Sequence, residues 1–361
     1  MASRFWSRTA VAFLLVAVLQ GARPALAAWS GYTAIGSGAV TSDISCAADG
    51  NGTGVCAALG SGGTLLVAHY NGTAWSGWTT ETLALTSPPS CAEVIAGEVI
   101  CASRNVTNEM VAYLWNGKTW TSPLAVAAGL FSGPSCAATA SGKAVCAARS
   151  TSGEIVTAVY SGASWAAASW TRPALVSDAV YGPVKCTTDD VGQAICAYLT
   201  LGNATKVREF ATSWSSAIDI NGEVTAQPTT CTDAGVGGKA ACFAIGTDTA
   251  VNGQLFVGGT FTAAHWTGWG SFNGSASSFS CAQYGQKAAV VNYACGAVSE
   301  SNSGFYTNEY NGSSWAGWTQ VGTMTFIGSP SCFALNRTVT PGRIMCALVT
   351  PANLAVTTIG P

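Results

Sequence analysis

The residues best suited to chemistry in this sequence are its cysteines, and they come in close pairs. Cys46 lies near Cys56, Cys91 near Cys101, Cys136 near Cys146 and Cys186 near Cys196, then Cys231 near Cys242, Cys281 near Cys295 and Cys332 near Cys346. The first members are 45, 45, 50, 45, 50 and 51 residues apart. A zinc site would want C-x2-C spacing with histidines, and the chain has 2 histidines in 361 residues. An even count at regular spacing reads instead as a disulfide framework. The gap within each pair suits neighbouring antiparallel strands joined by a turn, so each pair is expected to cross-link one hairpin. A bridge closing so short a loop contributes roughly 2–3 kcal/mol in the chain-entropy picture.

Acid–base chemistry finds few candidates. Asp189 and Asp190 are adjacent carboxylates, but they sit in "TTDDVGQ", the turn of one such hairpin, where solvated turn residues are expected. No G-x-S-x-G nucleophile elbow occurs, and His69 and His265 each stand one residue from an aromatic at a strand end. Beyond residue 27 the arginines are Arg104, Arg149, Arg172, Arg208, Arg337 and Arg343, with no clustering. No catalytic group, cofactor or metal site is expected.

The aromatic residues form the other pattern. "YNGTAWSGWT" at 70–79 returns as "YNGSSWAGWT" at 310–319. Its first tryptophan recurs in every repeat, as Trp29, Trp75, Trp120, Trp165, Trp214, Trp266 and Trp315. Such uniformity points to a large side chain packed between repeats. The second aromatic, three residues on, is Tyr32, Trp78, Trp269 or Trp318, with Trp170 at a longer offset and Pro123 or Ala217 in the other two repeats. Residues three apart on a strand face opposite ways. The second set therefore either stacks on sugar rings in a groove or packs on the neighbouring repeat, and both readings stay open.

Positioning these residues requires a definite set of elements. Each disulfide hairpin is followed by a strand ("LLVAHY", "MVAYLW", "EIVTAVY", "FYTNEY"), an NG or SG turn, the tryptophan and a final strand. Asn-Gly between two β runs predicts a type I′ hairpin. Four strands in 45 to 51 residues make one propeller blade, so the expected fold is an all-β, seven-bladed β-propeller with one disulfide per blade. The seventh repeat ends at "LAVTTIGP", one strand short, and "WSGYTAIG" at 29–36 has no blade before it. The N-terminal strand is thus expected to pair with residues 354–359 and close the ring, removing exposed sheet edges.

Residues 1–27 have the layout of a secretory signal peptide: Arg4 and Arg8, an apolar run, then "ALA". The mature chain, 28–361, is expected to be one exported domain with no transmembrane segment. Only 9% of residues are charged, which argues against nucleic acid as a partner. At 48% hydrophobic residues the chain has ample material for a core and is not a disordered one. N-x-[ST] sequons occur at Asn51, Asn71, Asn105, Asn203, Asn273, Asn311 and Asn336, several of them in turns where hairpin chemistry alone would place them.

The motifs "NGTAWSGWTT" and "NGSSWAGWTQ" resemble the W-x-G-W repeats of bacterial fucose-binding seven-bladed propeller lectins. That resemblance spans the repeats of the mature chain. It implies a non-catalytic, multivalent carbohydrate-binding protein with glycans or glycoconjugates as partners. Its sites would lie between blades at Tyr32, Trp78, Trp170, Trp269 and Trp318. The cysteine pair in every repeat departs from that pattern, and Pro123 and Ala217 imply fewer than seven working sites. N-G-x-x-W also resembles the sialidase Asp-box hairpin, a folding motif without catalysis. A structural subunit of an extracellular surface layer or fibre is the alternative class, since a stapled, weakly charged ring could assemble as a homo-oligomer or fibre, and a glycoside hydrolase of sialidase type is the third.

Overall fold

The computed structural model describes residues 28–361 apart from 51, 140, 163, 174, 190, 221–228, 234–237, 268–269, 288–289, 311–313, 337–341 and 361. All seven expected disulfides are present, with Cα atoms 4.0–4.1 Å apart. In each case the two cysteines are direct partners on adjacent antiparallel strands. Valine, isoleucine and aromatics suit such half-buried pleats. Alanines follow the second cysteine in most repeats (Ala57, Ala102, Ala147, Ala197, Ala347) and are fully buried, because sheets converging on an axis leave no room for more.

The first strands of the seven repeats are Ser45–Ala48, Ser90–Ile95, Ser135–Ala138, Lys185–Thr188, Thr230–Asp233, the second half of Gly270–Lys287, and Ile327–Asn336. Each lies against the next, and the last lies against the first. The circle is closed, and the fold is an all-β propeller. These strands line an axial channel of about 700 Å³.

A serine latch binds neighbouring repeats around that channel. The hydroxyl oxygens of Ser45, Ser90, Ser135, Ser280 and Ser331 accept from the backbone N–H of Cys91, Cys136, Cys186, Cys332 and Cys46, at 2.8–3.1 Å. Each bond runs from one repeat's cysteine to the serine before the previous repeat's first cysteine.

The sheets are five of four strands and one of seven, rather than seven separate four-stranded sheets. The larger sheet arises because Gly270–Lys287 is a single 18-residue strand. Its first half pairs with Ala250–Phe256 and its second half with Val290–Ser299. Residues 276–280, "ASSFS", carry no proline, whereas the described junctions after the first three repeats hold Pro88, Pro89, Pro134 or Pro183. Without proline nothing removes a ladder donor and the chain stays extended.

The N-terminal strand sits where the split last repeat predicts. Thr33 pairs with Thr357 and Ala34 with Val356, while Ser30 N–H donates to Ile359 O at 2.8 Å and Ile35 N–H to Ala355 O at 3.0 Å.

The NG turns correct the type I′ expectation. Gly72 and Gly117 adopt positive φ (97° and 84°), but Asn71 and Asn116 do not. Instead the Asn71 side-chain oxygen accepts from the N–H groups of Thr73 and Ala74, and Asn116 does the same for Lys118 and Thr119. The asparagine acts as a side-chain cap, so only the glycine enters the left-handed region.

Candidate functional site

The first tryptophans lie between repeats, as their uniformity implied. Trp75 Nε1 donates to Thr357 Oγ1 at 3.0 Å, Trp165 Nε1 to Ser122 O at 2.9 Å, and Trp214 Nε1 to Thr157 Oγ1 at 3.1 Å. Trp29 Nε1 reaches the Glu309 carboxylate at 3.2 Å. Every one of these acceptors belongs to the preceding repeat.

Three of the second aromatics, Tyr32, Trp78 and Trp318, each meet a glycine of the preceding repeat. A Cβ on Gly322 would stand 2.9 Å from the Tyr32 ring, one on Gly36 would stand 2.8 Å from Trp78 N, and one on Gly274 would stand 2.6 Å from Trp318 Nε1. The surroundings then diverge. Tyr32 is tied by its hydroxyl to Val321 O at 2.5 Å and packs on Phe326. Trp78 is flanked by Gly38 as well, whose Cβ would lie 3.1 Å from Cδ1. Trp170 is only 8% exposed and packs on Tyr160 and Trp165. Trp269 lies outside the described residues. Pro123 and Ala217 offer no ring.

Trp318 borders a cavity of about 200 Å³. Its apolar wall is Val251, Ala276 and Ala297, and its polar groups are Ser275, Ser299, Ser301 and Tyr306, with Gly274 opposite the indole. The hydroxyls are already ordered. Ser275 Oγ donates to Glu300 Oε2 at 2.9 Å, Ser299 and Ser301 hydroxyls are 3.0 Å apart, and Tyr306 OH donates to Gln320 Oε1 at 3.2 Å. An aromatic face with a rim of oriented hydroxyls can stack on one side of a polyol ring and hydrogen-bond its edge. Sequence reasoning found Trp318 but not its companions, because serines at 275, 299 and 301 follow no repeat spacing. Gly274 leaves a faint signal: glycines stand four or five residues after Tyr32, Trp269 and Trp318.

Three titratable side chains share one equivalent position. His69, Glu209 and Glu309 each pair with the residue before a second cysteine, namely Val55, Ile195 and Ala294. His69 Nε2 is 3.1 Å from Asp49 Oδ2 and its ring stacks on Trp115, whose Nε1 donates to the same carboxylate oxygen at 2.8 Å. Burial, then the Asp189 charge, push Glu209 up to about 7. Burial also raises Glu309, against the bonds from Trp29 and Tyr284. Asp189 is 1% exposed and its Oδ1 accepts from Val191 and Gln193 N–H, so its side chain is buried beneath the turn it shapes rather than solvated, although Val191 at the turn is exposed. Asp190 lies outside the described residues. His265 Nδ1 donates to Thr260 O at 2.5 Å, across its own turn.

Two of the described arginines meet at Phe131 and two serve other places. Arg104 donates to Phe131 O, Arg149 lies 4.3 Å above the Phe131 ring, Arg172 donates to Val126 O, and Arg208 pairs with Asp178. No helix among the described residues is long and apolar enough to cross a membrane.

A β-propeller whose repeats meet across aromatic grooves is the class of architecture this chain defines. No protein-family model matches it, and no curated protein does. Solved structures do. The BP39L lectin from Burkholderia pseudomallei is 16% identical, over 89% of this chain and 96% of that one, with a TM-score of 0.72. AofleA from Arthrobotrys oligospora is 9% identical over 92% and 87%, at 0.56. The fucose-specific lectin from Aleuria aurantia is 12% identical over 79% and 97%, at 0.51. At these identities the likeness is one of fold.

Proposed function

We propose that this chain is an exported, non-catalytic carbohydrate-binding protein that takes sugars in inter-blade grooves. The observation that carries this reading is the cavity at Trp318, an aromatic face ringed by serine and tyrosine hydroxyls where two repeats meet. The shared fold with lectins, one of them fucose-specific, makes a fucoside the first ligand to try. The seven-stranded sheet counts here as two blades sharing one long strand, which makes seven blades closed by the N-terminal strand. Seven disulfides, together with the leader-like residues 1–27, support export.

A glycan array probed with residues 28–361 tests this. Binding to a defined glycan set, lost in Trp318→Ala with an unchanged fold, is the expected result. Silence across a broad array would shift the reading to a structural subunit, and release of free sugar would make the protein an enzyme.

A further inference from the structure

We propose that the junction of the second and third repeats carries a further site, apart from the Trp318 groove, that binds a sugar bearing a carboxylate or sulfate group. The proposal goes beyond the reading above, since no part of it involves Trp318. Its residues break the rule of the repeat. Three residues after the second cysteine, five repeats place a buried apolar side chain: Leu59, Leu199, Ile245, Val298 and Val349. The second and third repeats place Arg104 and Arg149 there instead. The backbone oxygen at this position accepts an N–H from the segment leading into the next repeat. Thr41 donates to Leu59 O, Thr86 to Arg104 O, Phe131 to Arg149 O and Tyr181 to Leu199 O, each at 2.8 Å. Phe131 is thereby set between the two arginines, and it is 56% exposed.

Neither guanidinium is neutralised by the protein. Arg208 has the Asp178 carboxylate, but among the described residues no carboxylate pairs with Arg104 or Arg149. Arg104 spends Nη1 on Phe131 O and Nε on Thr86 Oγ1, both uncharged acceptors. Arg149 stacks on the Phe131 ring at 4.3 Å, and its Nε is buried with no acceptor. A donor left unmet under cover is costly, more so on a charged group. The neighbouring carboxylates are already engaged by their own turns: Glu109 accepts from Asn105 and Thr107, and Glu154 from Ser152. Guanidinium groups match the paired oxygens of a carboxylate or sulfate and bind them more strongly than neutral partners. The exposed phenyl ring beside them offers an apolar surface to the ring that carries the acid. The Trp318 cavity has no basic residue in its lining, so the two sites sort ligands by charge.

Isothermal titration of residues 28–361 decides this. The probes are methyl glucuronide and galactose 6-sulfate, with methyl galactoside and inorganic sulfate as controls and methyl α-fucoside for the Trp318 groove. The expected result is binding of an acidic sugar, weakened by added salt, and no binding of methyl galactoside at this junction. Arg149→Leu and Arg104→Leu should each weaken the acidic sugar roughly tenfold or more. Both variants install the residue that Leu59 and Leu199 already supply at this position, so the melting temperature should not fall. Phe131→Thr, which copies Thr41 and Thr86, should weaken the sugar but not inorganic sulfate. Trp318→Ala should leave acidic-sugar binding as in wild type. Failure of both acidic sugars to bind, or binding that survives both arginine variants, would overturn the proposal. Inorganic sulfate binding as tightly as galactose 6-sulfate would also overturn it, by showing a plain anion site. Fucoside binding with no acidic-sugar binding would sink this proposal alone, and the reverse pattern would support it while removing the Trp318 reading.

Discussion

Glu209 shows how much one side chain can set. Burial and the neighbouring Asp189 raise it from 4.5 to about 7. A carboxyl raised in the folded state holds a proton that the unfolded chain has released. Its contribution to stability is therefore full below about pH 4.5 and is lost as pH rises through about 7. Buried Glu309 acts in the same direction. Asp178 acts oppositely: despite burial, Arg208 and Tyr198 hold it low, and its contribution is lost on acidification. Melting temperature should thus fall between pH 4.5 and 7, and Glu209→Gln should flatten part of that slope. A wild-type slope retained in full by the variant would contradict the assignment. The serine latch makes a second prediction at this scale. Ser90→Ala leaves the Cys136 N–H without its acceptor and should cost about 1–2 kcal/mol in denaturant melts. None of these partners was legible in the sequence. Asp189 read as a solvated side chain because nothing in "TTDDVGQ" shows that it folds under its own turn. The latch went unread because Ser-Cys looks like any small-residue pair until two repeats are set side by side.

The elements were legible wherever covalent or backbone constraints repeat. The cysteine register places the hairpins correctly, since a bridge between two adjacent strands allows only direct partners. Turns were legible in position but not in type, as Asn71 shows. The turns between second and third strands hold a regularity that composition hides. Gly63, Asn108, Gly153, Asn203, Thr249, Ser303 and Asn353 all have positive φ, and in every case the residue's N–H closes the turn. Glycine and asparagine tolerate this conformation, whereas threonine and serine pay a steric penalty of about 1 kcal/mol. Ser303→Gly, at φ 54° in an exposed turn, should therefore stabilise the protein by about 0.5–1 kcal/mol. Unchanged or lower stability on chemical denaturation would count against strain there. The merged seven-stranded sheet was not legible, because the absence of one proline is a weak signal in a chain already rich in extended segments.

At the scale of the whole ring, closure depends on residues 29–36 joining the far end of the chain. Trp29 packs edge-on to Phe305 and donates to Glu309, so deletion of residues 28–40 removes a strand pairing, a large aromatic and the buried Val40 together. That loss should lower stability by several kcal/mol, measured by urea unfolding. A deletion variant that melts like wild type would contradict closure. Ring architecture was legible because the repeat is split between the two termini. The companions of Trp318 were not, since Trp78 and Trp318 share the same local motif and differ in what the preceding repeat places before them. A crystal structure of residues 28–361 soaked with methyl α-fucoside tests the central claim most directly. The account predicts a sugar ring stacked on the Trp318 indole, its hydroxyls within hydrogen-bond reach of Ser275, Ser299 or Ser301. A sugar seated elsewhere, with the Trp318 groove empty, would contradict it.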